Sequence, residues 1–251
     1  MALMIKQGGK RVDLFSFMTP GKILDFPAGE GKESNDLLEM GFRVIAADLF
    51  RPKENARPEY VLADGNTVFP FRAVAFDYVL SREGIEHLEN QAQFLRECAR
   101  VLKTGGKLVL TTPNVLHLNG RVSWLLTGQR ILKRGLINEV QTVRKIDNGK
   151  IYHGHAFLID YFRLRYLLRL SGFDGIEVYT DRYSLSSIIF LWLVPLLFTA
   201  ALLSVRMSMT KDRKKRKFYA YKPPFKEILT HVFSPALLFG KRMMVVAEKR
   251  T

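Results

Sequence analysis

Cysteine is almost missing from this sequence. Cys98 stands alone among 251 residues, which excludes an intramolecular disulfide and any Cys-x-x-Cys site and fits a reducing compartment. Acidic residues are few against basic ones, 24 against 39, for a formal charge of +15. A chain this basic is expected to meet something anionic: nucleic acid, a membrane surface or an acidic metabolite. The apolar start Met1–Ile5 is too short for a secretory signal and has no small-residue cleavage site, so no cleavable leader is expected. No internal repeat is evident. What is present in quantity is apolar: hydrophobic residues make up 47%, which supports a substantial core and excludes wholesale disorder.

The charge is concentrated. Arg206 to Lys226 holds nine basic residues and one acid, Asp212, a net +8. Immediately before it, Leu185–Val205 runs 21 residues without a charge, close to the roughly 20 a spanning helix needs. An uncharged stretch abutting a polybasic one suits an anionic bilayer surface, with Trp192 and Phe198 adding interfacial bulk. The alternative is a buried core helix followed by a solvated basic loop. Nucleic acid is disfavoured, because the basic run carries only Phe218, Tyr219 and Tyr221 as stacking aromatics.

The first 115 residues alternate strand and helix patterns. Short apolar strands are expected at Ile23–Phe26, Val44–Asp48, Tyr60–Asp64, Phe76–Ser81 and Lys107–Thr111, with helices over Glu33–Met40 and Asn90–Leu102. Such alternation implies an α/β fold with a mainly parallel, doubly wound sheet. Asp25, Asp48 and Asp64 lie at the ends of three strands. That is where open α/β sheets bind ligands, and carboxylates there are costly to bury without a partner. As turn-forming aspartates they would each be ordinary; three in phase point to a nucleoside site. Asp48 would then meet ribose hydroxyls and Asp64 an adenine amine, while Gly29 and Gly31 let the backbone pass close to the ligand.

Those residues, in DFPAGEG at Asp25–Gly31, AADL at Ala46–Leu49, ADG at Ala63–Gly65, FDYVLSREGIEHLEN and LKTGGKLVLTTPN, resemble the class I S-adenosylmethionine (SAM)-dependent methyltransferases over about residues 20–180. Pro27 stands where the family usually has its first glycine. A dinucleotide-binding fingerprint fails because Ser34 occupies the third glycine position. The resemblance implies a seven-stranded sheet and SAM as cofactor. It places Asp25, Gly29, Gly31, Asp48 and Asp64 around that cofactor and Ser81 on the wall near its sulfonium.

Methyl transfer to oxygen needs alignment and a route for the proton, hence a base or a metal. Glu83-x-x-Glu86-His87 offers two carboxylates and an imidazole, sharing a face if a helix starts there. With a later histidine, His155 or His153, this resembles the divalent-metal site of small-RNA 2′-O-methyltransferases and ubiquinone-pathway O-methyltransferases. It implies Mg²⁺ or Mn²⁺ held by Glu83, Glu86, His87 and His155. Three roles for His87 stay open: ligand, acid–base or substrate contact, and plain structure. His117 and His231 have no partner spacing and read as structural or surface residues.

Residues 115–150 form an insertion with seven basic residues, read either as a lid over the acceptor or as a solvated loop. A helix over Tyr161–Ser171 and strands at Gly175–Thr180 and Met243–Glu248 complete the pattern. In the family the last two strands pair antiparallel, so the apolar and basic stretches, within residues 181–240, interrupt that pair. Residues 1–180 and 241–251 then make the core. A single crossing would strand the last strand on the far side, and Ile228–Phe239 is too short to return. The insertion should therefore dip into one leaflet, kinked by Pro195, with the protein monotopic on the cytoplasmic face of the inner membrane. The expected activity is O-methylation of an amphiphilic acceptor. A lipid-linked sugar or surface-glycan precursor comes first, because Thr111–Gly128 resembles methyltransferases encoded with bacterial cell-surface polysaccharide genes. The alternatives are a quinone-ring O-methyltransferase and a non-catalytic SAM-binding membrane scaffold.

Overall fold

The structure, a computed structural model, describes residues 4–7, 10–52, 57–128, 142–147, 150–211 and 225–250. A hairpin of β1 (Met4–Gln7) and β2 (Lys10–Asp13) precedes the main sheet and has no counterpart in the sequence reading. The sheet strands are β3 (Lys22–Asp25), β4 (Arg43–Asp48), β5 (Glu59–Leu62), β6 (Phe76–Arg82) and β7 (Leu102–Pro113). A separate hairpin, β8 (Val143–Asp147) and β9 (Lys150–His153), follows; then come β10 (Phe173–Tyr179) and β11 (Arg242–Lys249). The seven-stranded order is β10-β11-β7-β6-β3-β4-β5. β7, β6, β3, β4 and β5 are parallel, and β11 joins both β7 and β10 antiparallel. This is the expected sheet, with the last two strands paired across a long excursion.

The helices are α1 (Lys32–Glu39), α2 (Gln91–Val101), α3 (Leu118–Thr127), α4 (Tyr161–Leu170), α5 (Leu185–Ile188), α6 (Val194–Lys211), α7 (Phe225–Val232) and α8 (Pro235–Phe239). Their starts follow local chemistry. Asn90 caps α2 by accepting from Gln93 N at 3.1 Å, and Asp160 caps α4 by accepting from Arg163 N at 3.0 Å. Phe94, Leu95, Cys98 and Val101 form the helical-period face that α2 buries against the sheet. Beneath the end of β3, Phe26, Phe69 and Phe94 meet edge to face at 4.9–5.8 Å, contacts worth about 0.5–1.5 kcal/mol each beyond their buried area. They fix the height of the loop that follows β3.

The region read as a lid or loop after β7 is a helix, α3, and then the β8–β9 hairpin, which extends the insertion to His153; residues 129–141, with Arg130, Lys133 and Arg134, lie outside the described residues. The excursion between β10 and β11 is stitched at its neck. Ser184 N donates to Phe239 O at 2.6 Å, Lys241 N donates to Arg182 O at 2.7 Å, and Tyr183 bridges Gly240. Asn114 Nδ2 donates to the carbonyls of Leu237 and Gly240, closing α8 onto the end of β7. Pro195 does not kink the apolar stretch. It is the second residue of α6, in the first turn, where no backbone N–H is needed. Ile228–Phe239 is two short helices, split by the Ser234 cap of α8, that bury Val232, Leu237 and Leu238 in the core. Most of the polybasic run, residues 212–224, lies outside the described residues.

Candidate active site

A cleft of about 610 Å³ opens at the carboxyl ends of β3, β4 and β6. Chain geometry builds its first wall. Gly29 (φ +55°) and Gly31 (φ +76°) turn the chain from β3 into α1 in the left-handed region that a side chain resists. Asp48, at the end of β4, accepts from Gly29 N at 2.9 Å and from Phe50 N at 3.1 Å. Tyr60 ties the same turn down, its single hydroxyl hydrogen shared between Gly29 O at 2.9 Å and Phe50 O at 3.0 Å. Burial pushes the Asp48 carboxyl up, opposed by those backbone N–H groups. Asp64 also lines the cleft; its Oδ1 accepts from Asn66 N at 2.8 Å, and Asn66 is held in turn by Asn90 N at 2.9 Å.

Not every expected residue reaches the cleft. Asp25 is buried behind it, where Ser34 Oγ donates to Oδ2 at 2.5 Å. This contact accounts for a serine where a dinucleotide site would want glycine. Burial raises the Asp25 carboxyl to about 7, offset by Ser34 and reinforced by Asp48. Gly31 serves as the residue before α1 and is not on the cleft surface. Ser81 is fully buried and does not line the cleft, contrary to the expectation of a wall residue. That position is taken by Arg82, Glu83 and Gly84. A side-chain carbon at Gly84 would run into the Pro27 ring, so Pro27 and Gly84 close the cleft floor as a matched pair.

The Glu-x-x-Glu-His segment is not a helix. Glu83 sits at φ +48° with its N–H bonded to Thr111 O at 3.0 Å, and only one 3₁₀ turn, Ile85–His87, follows. The contact of Gly84 with Pro27 and the bond to β7 hold the backbone away from helical geometry. Glu83 therefore lines the cleft apart from the group that does converge: Glu86, His87 and His155, whose ligand atoms lie within 4.8 Å of one another. Glu86 is buried and accepts from Thr112 Oγ1 at 2.9 Å. His153 is separated from His155 and bonds Glu89 through Nε2 at 2.7 Å.

His87 is oriented by the hairpin. Its Nδ1 lies 2.7 Å from His153 O and 3.1 Å from Gly154 O. Carbonyls only accept, so Nδ1 carries a hydrogen, and Nε2, the acceptor nitrogen whenever the ring is neutral, lies 3.3 Å from Tyr152 OH beside the cleft. Gln91 locks the arrangement by donating to Ile85 O at 3.0 Å and Phe157 O at 2.5 Å. Tyr152, Gln91 and Arg82 were missed in the sequence: Tyr152 comes on a hairpin without a motif of its own, while Arg82 inside FDYVLSREGIEHLEN and Gln91 just after it have no spacing that marks them out. His117 caps α3, accepting from Gly120 N at 2.9 Å, and His231 bonds Tyr161 OH at 2.6 Å; both lie outside the cleft.

Residues 24–110 match the methyltransferase domain family. Among solved structures, a SAM-dependent methyltransferase from Archaeoglobus fulgidus superposes with a TM-score of 0.52 at 14% identity, covering 92% of this chain and 86% of that one. Phosphoethanolamine N-methyltransferase 2 from Haemonchus contortus, solved with SAM, gives 0.51 at 21% identity, covering 94% of this chain and 50% of that one. The chain thus has the fold of the SAM-dependent methyltransferases, and its residues 24–110 are similar to their domain. Its curated relatives include a demethylmenaquinone methyltransferase from Corynebacterium urealyticum, 36% identical over 42% of this chain and 46% of the relative. A ubiquinone biosynthesis O-methyltransferase from Caulobacter sp. is 31% identical over 37% of this chain and 41% of the relative. The matched segment spans less than half the length of these relatives.

Proposed function

We propose that this chain transfers a methyl group from SAM to an oxygen of an amphiphilic acceptor at a membrane surface. The observation that carries the reading is the joining, in one cleft, of the Asp48-clasped glycine turn and the outward-facing Nε2 of His87. When bound, SAM supplies an electrophilic methyl group. The chain's own contribution is to bind and orient. Asp48 and Asp64 have carboxylate lone pairs for hydroxyl and amine donors, and Nε2 of His87 is placed to accept the acceptor hydroxyl's proton. Asp48→Ala should weaken SAM binding about tenfold or more, the cost of charged hydrogen bonds. Calorimetry with unchanged affinity would refute the assignment.

A divalent cation fits the same wall. Glu86, His87 and His155 offer one carboxylate and two imidazoles close enough to share an ion, a mixed set that suits Mn²⁺ better than Mg²⁺. The ion would polarise the acceptor oxygen. Exhaustive chelation should abolish turnover and leave SAM affinity intact, with Mn²⁺ restoring activity. Full activity after chelation would leave His87 as the base.

Membrane attachment is supported by the uncharged stretch. Leu191–Ser208 is long and apolar enough to cross a bilayer by length and composition, and none of it is buried in the protein. Both ends of the excursion join at one neck beside one sheet, and Phe198 packs on Phe233 at 5.1 Å. These features favour a dipping, monotopic element over a single crossing. For the acceptor, the named activities of the relatives favour a quinone ring. A lipid-linked sugar is the second reading, resting on Thr111–Gly128. A SAM-binding scaffold without turnover is the rival from another class, and SAM turnover separates it.

A further inference from the structure

Among the described residues, Arg121 is a largely buried cation with no carboxylate in contact. The side chain of Arg121, on α3, makes a single hydrogen bond among the described residues, from Nε to Leu116 O at 2.7 Å. Its Nη2 is enclosed with no acceptor, and no carboxylate pairs with it among the described residues. Burial depresses the guanidinium's ordinary basicity. The nearby His117 ring is driven towards its neutral form, to about 4, by burial first and then by Arg121 and Lys241. Burial thus weighs on a guanidinium that no carboxylate contacts directly among the described residues, an arrangement that an anion would relieve.

The surroundings say what kind of anion. Arg121 lines a groove of about 210 Å³, separate from the cleft, whose other walls are Val115, Leu116, Trp124, Phe162 and Asp160. Asp160 is engaged in capping α4. Four of the five are apolar or aromatic, so a small hydrated anion would leave most of the wall uncovered. Beside the groove, α3 exposes Trp124, Leu125 and Leu126. Asn119 of the same helix bonds Ser186 of α5, at the head of the exposed apolar stretch.

We propose that this groove is a binding site for the phosphate headgroup of an anionic lipid, with Arg121 holding the phosphate and Trp124 and Phe162 flanking the first carbons of its chain. Arg is suited to the role because its delocalised guanidinium keeps its charge when partly buried and, with Nε held by Leu116 O, still has Nη hydrogens to give. The phosphate can belong to a bulk phospholipid or to the acceptor itself. The inference builds on the membrane reading above but not on the identity of the reaction.

The test uses the full chain with Trp192→Phe, so that Trp124 is the sole tryptophan and its fluorescence reports the groove. Short-chain phosphatidic acid below its micelle concentration should bind saturably. Arg121→Gln should weaken that binding about tenfold or more, and Arg121→Lys should recover part of it. Calorimetric SAM affinity should be the same in all three proteins, which shows that the fold is intact. Short-chain phosphatidylcholine and inorganic phosphate should bind much more weakly. Equal affinity for inorganic phosphate would overturn the lipid assignment, and an unchanged phosphatidic acid affinity in Arg121→Gln would overturn the site. Vesicle flotation is read in parallel. Short-chain lipid binding without flotation would reject the membrane reading and support the groove. Flotation of wild type and Arg121→Gln alike, without short-chain lipid binding, would reject the groove alone. A phosphate-bearing acceptor competes with phosphatidic acid; a quinone does not.

Discussion

Single side chains in this protein separate into those that touch the cleft and those that hold its shape. Asp25 belongs to the second group, although its sequence position equals that of Asp48 at the end of a strand. It is buried, bonded to Ser34, and held near 7 by desolvation. An acid whose folded pKa is raised binds its proton more tightly when folded. Between about 4 and 7 the unfolded chain therefore carries fewer protons, and stability falls as pH rises through that window, then levels off. Asp25→Asn keeps an acceptor for Ser34 and should flatten this contribution. Thermal melts from pH 4 to 8 should show the mutant gaining on wild type as pH rises; an identical pH profile would contradict the assignment. His87→Ala should reduce turnover at least a hundredfold, about the lower range for a lost acid–base group, with SAM affinity little changed. Parallel loss of binding would mean that His87 supports the cleft rather than the chemistry.

At the level of elements, the sheet was readable because its strands carry short apolar runs, two of them closed by Asp25 and Asp48, and period and punctuation are local properties. The condition on which Glu83, Glu86 and His87 would share a face, a helix starting there, is not met because three contacts from elsewhere override local preference: Gly84 against Pro27, Glu83 N on Thr111, and Gln91 on Ile85. None of these can be inferred from spacing within the segment. The same holds for Tyr152, delivered by the β8–β9 hairpin, and for Ser81, whose buried side of β6 cannot be told from the exposed side when both faces of a parallel sheet are covered. Gly84→Ala should be more damaging than its small size suggests. It should displace the Pro27 turn and lower SAM affinity as well as stability, by about 1–3 kcal/mol for an overpacked site. A mutant with wild-type melting temperature and SAM affinity would show that the Pro27–Gly84 contact is not needed.

Across the whole molecule, a charge of +15 and an unburied apolar stretch lie on a fold that otherwise buries its core well. The two features predict different sensitivities. Basic attraction to anionic lipid, about 1 kcal/mol per residue near the surface, is screened by salt. The apolar contribution, roughly 25 cal/mol per Å² removed from water, is not. High salt should loosen the protein from membranes without releasing it, and detergent should release it. Complete release by salt alone would reject the wedge. Because the neck at Ser184–Phe239 and Tyr183–Gly240 closes the excursion, replacing residues 190–224 by a flexible linker should leave a soluble protein that still binds SAM. The central claim, methyl transfer to an amphiphile, is tested most directly by incubating purified full-length protein with methyl-labelled SAM and a membrane extract. The label should pass into solvent-extractable lipid, on a species heavier by one methylene unit, and at sub-saturating SAM should do so several-fold more slowly with Asp48→Ala. Label confined to protein or water-soluble products, or no transfer despite bound SAM, would contradict it.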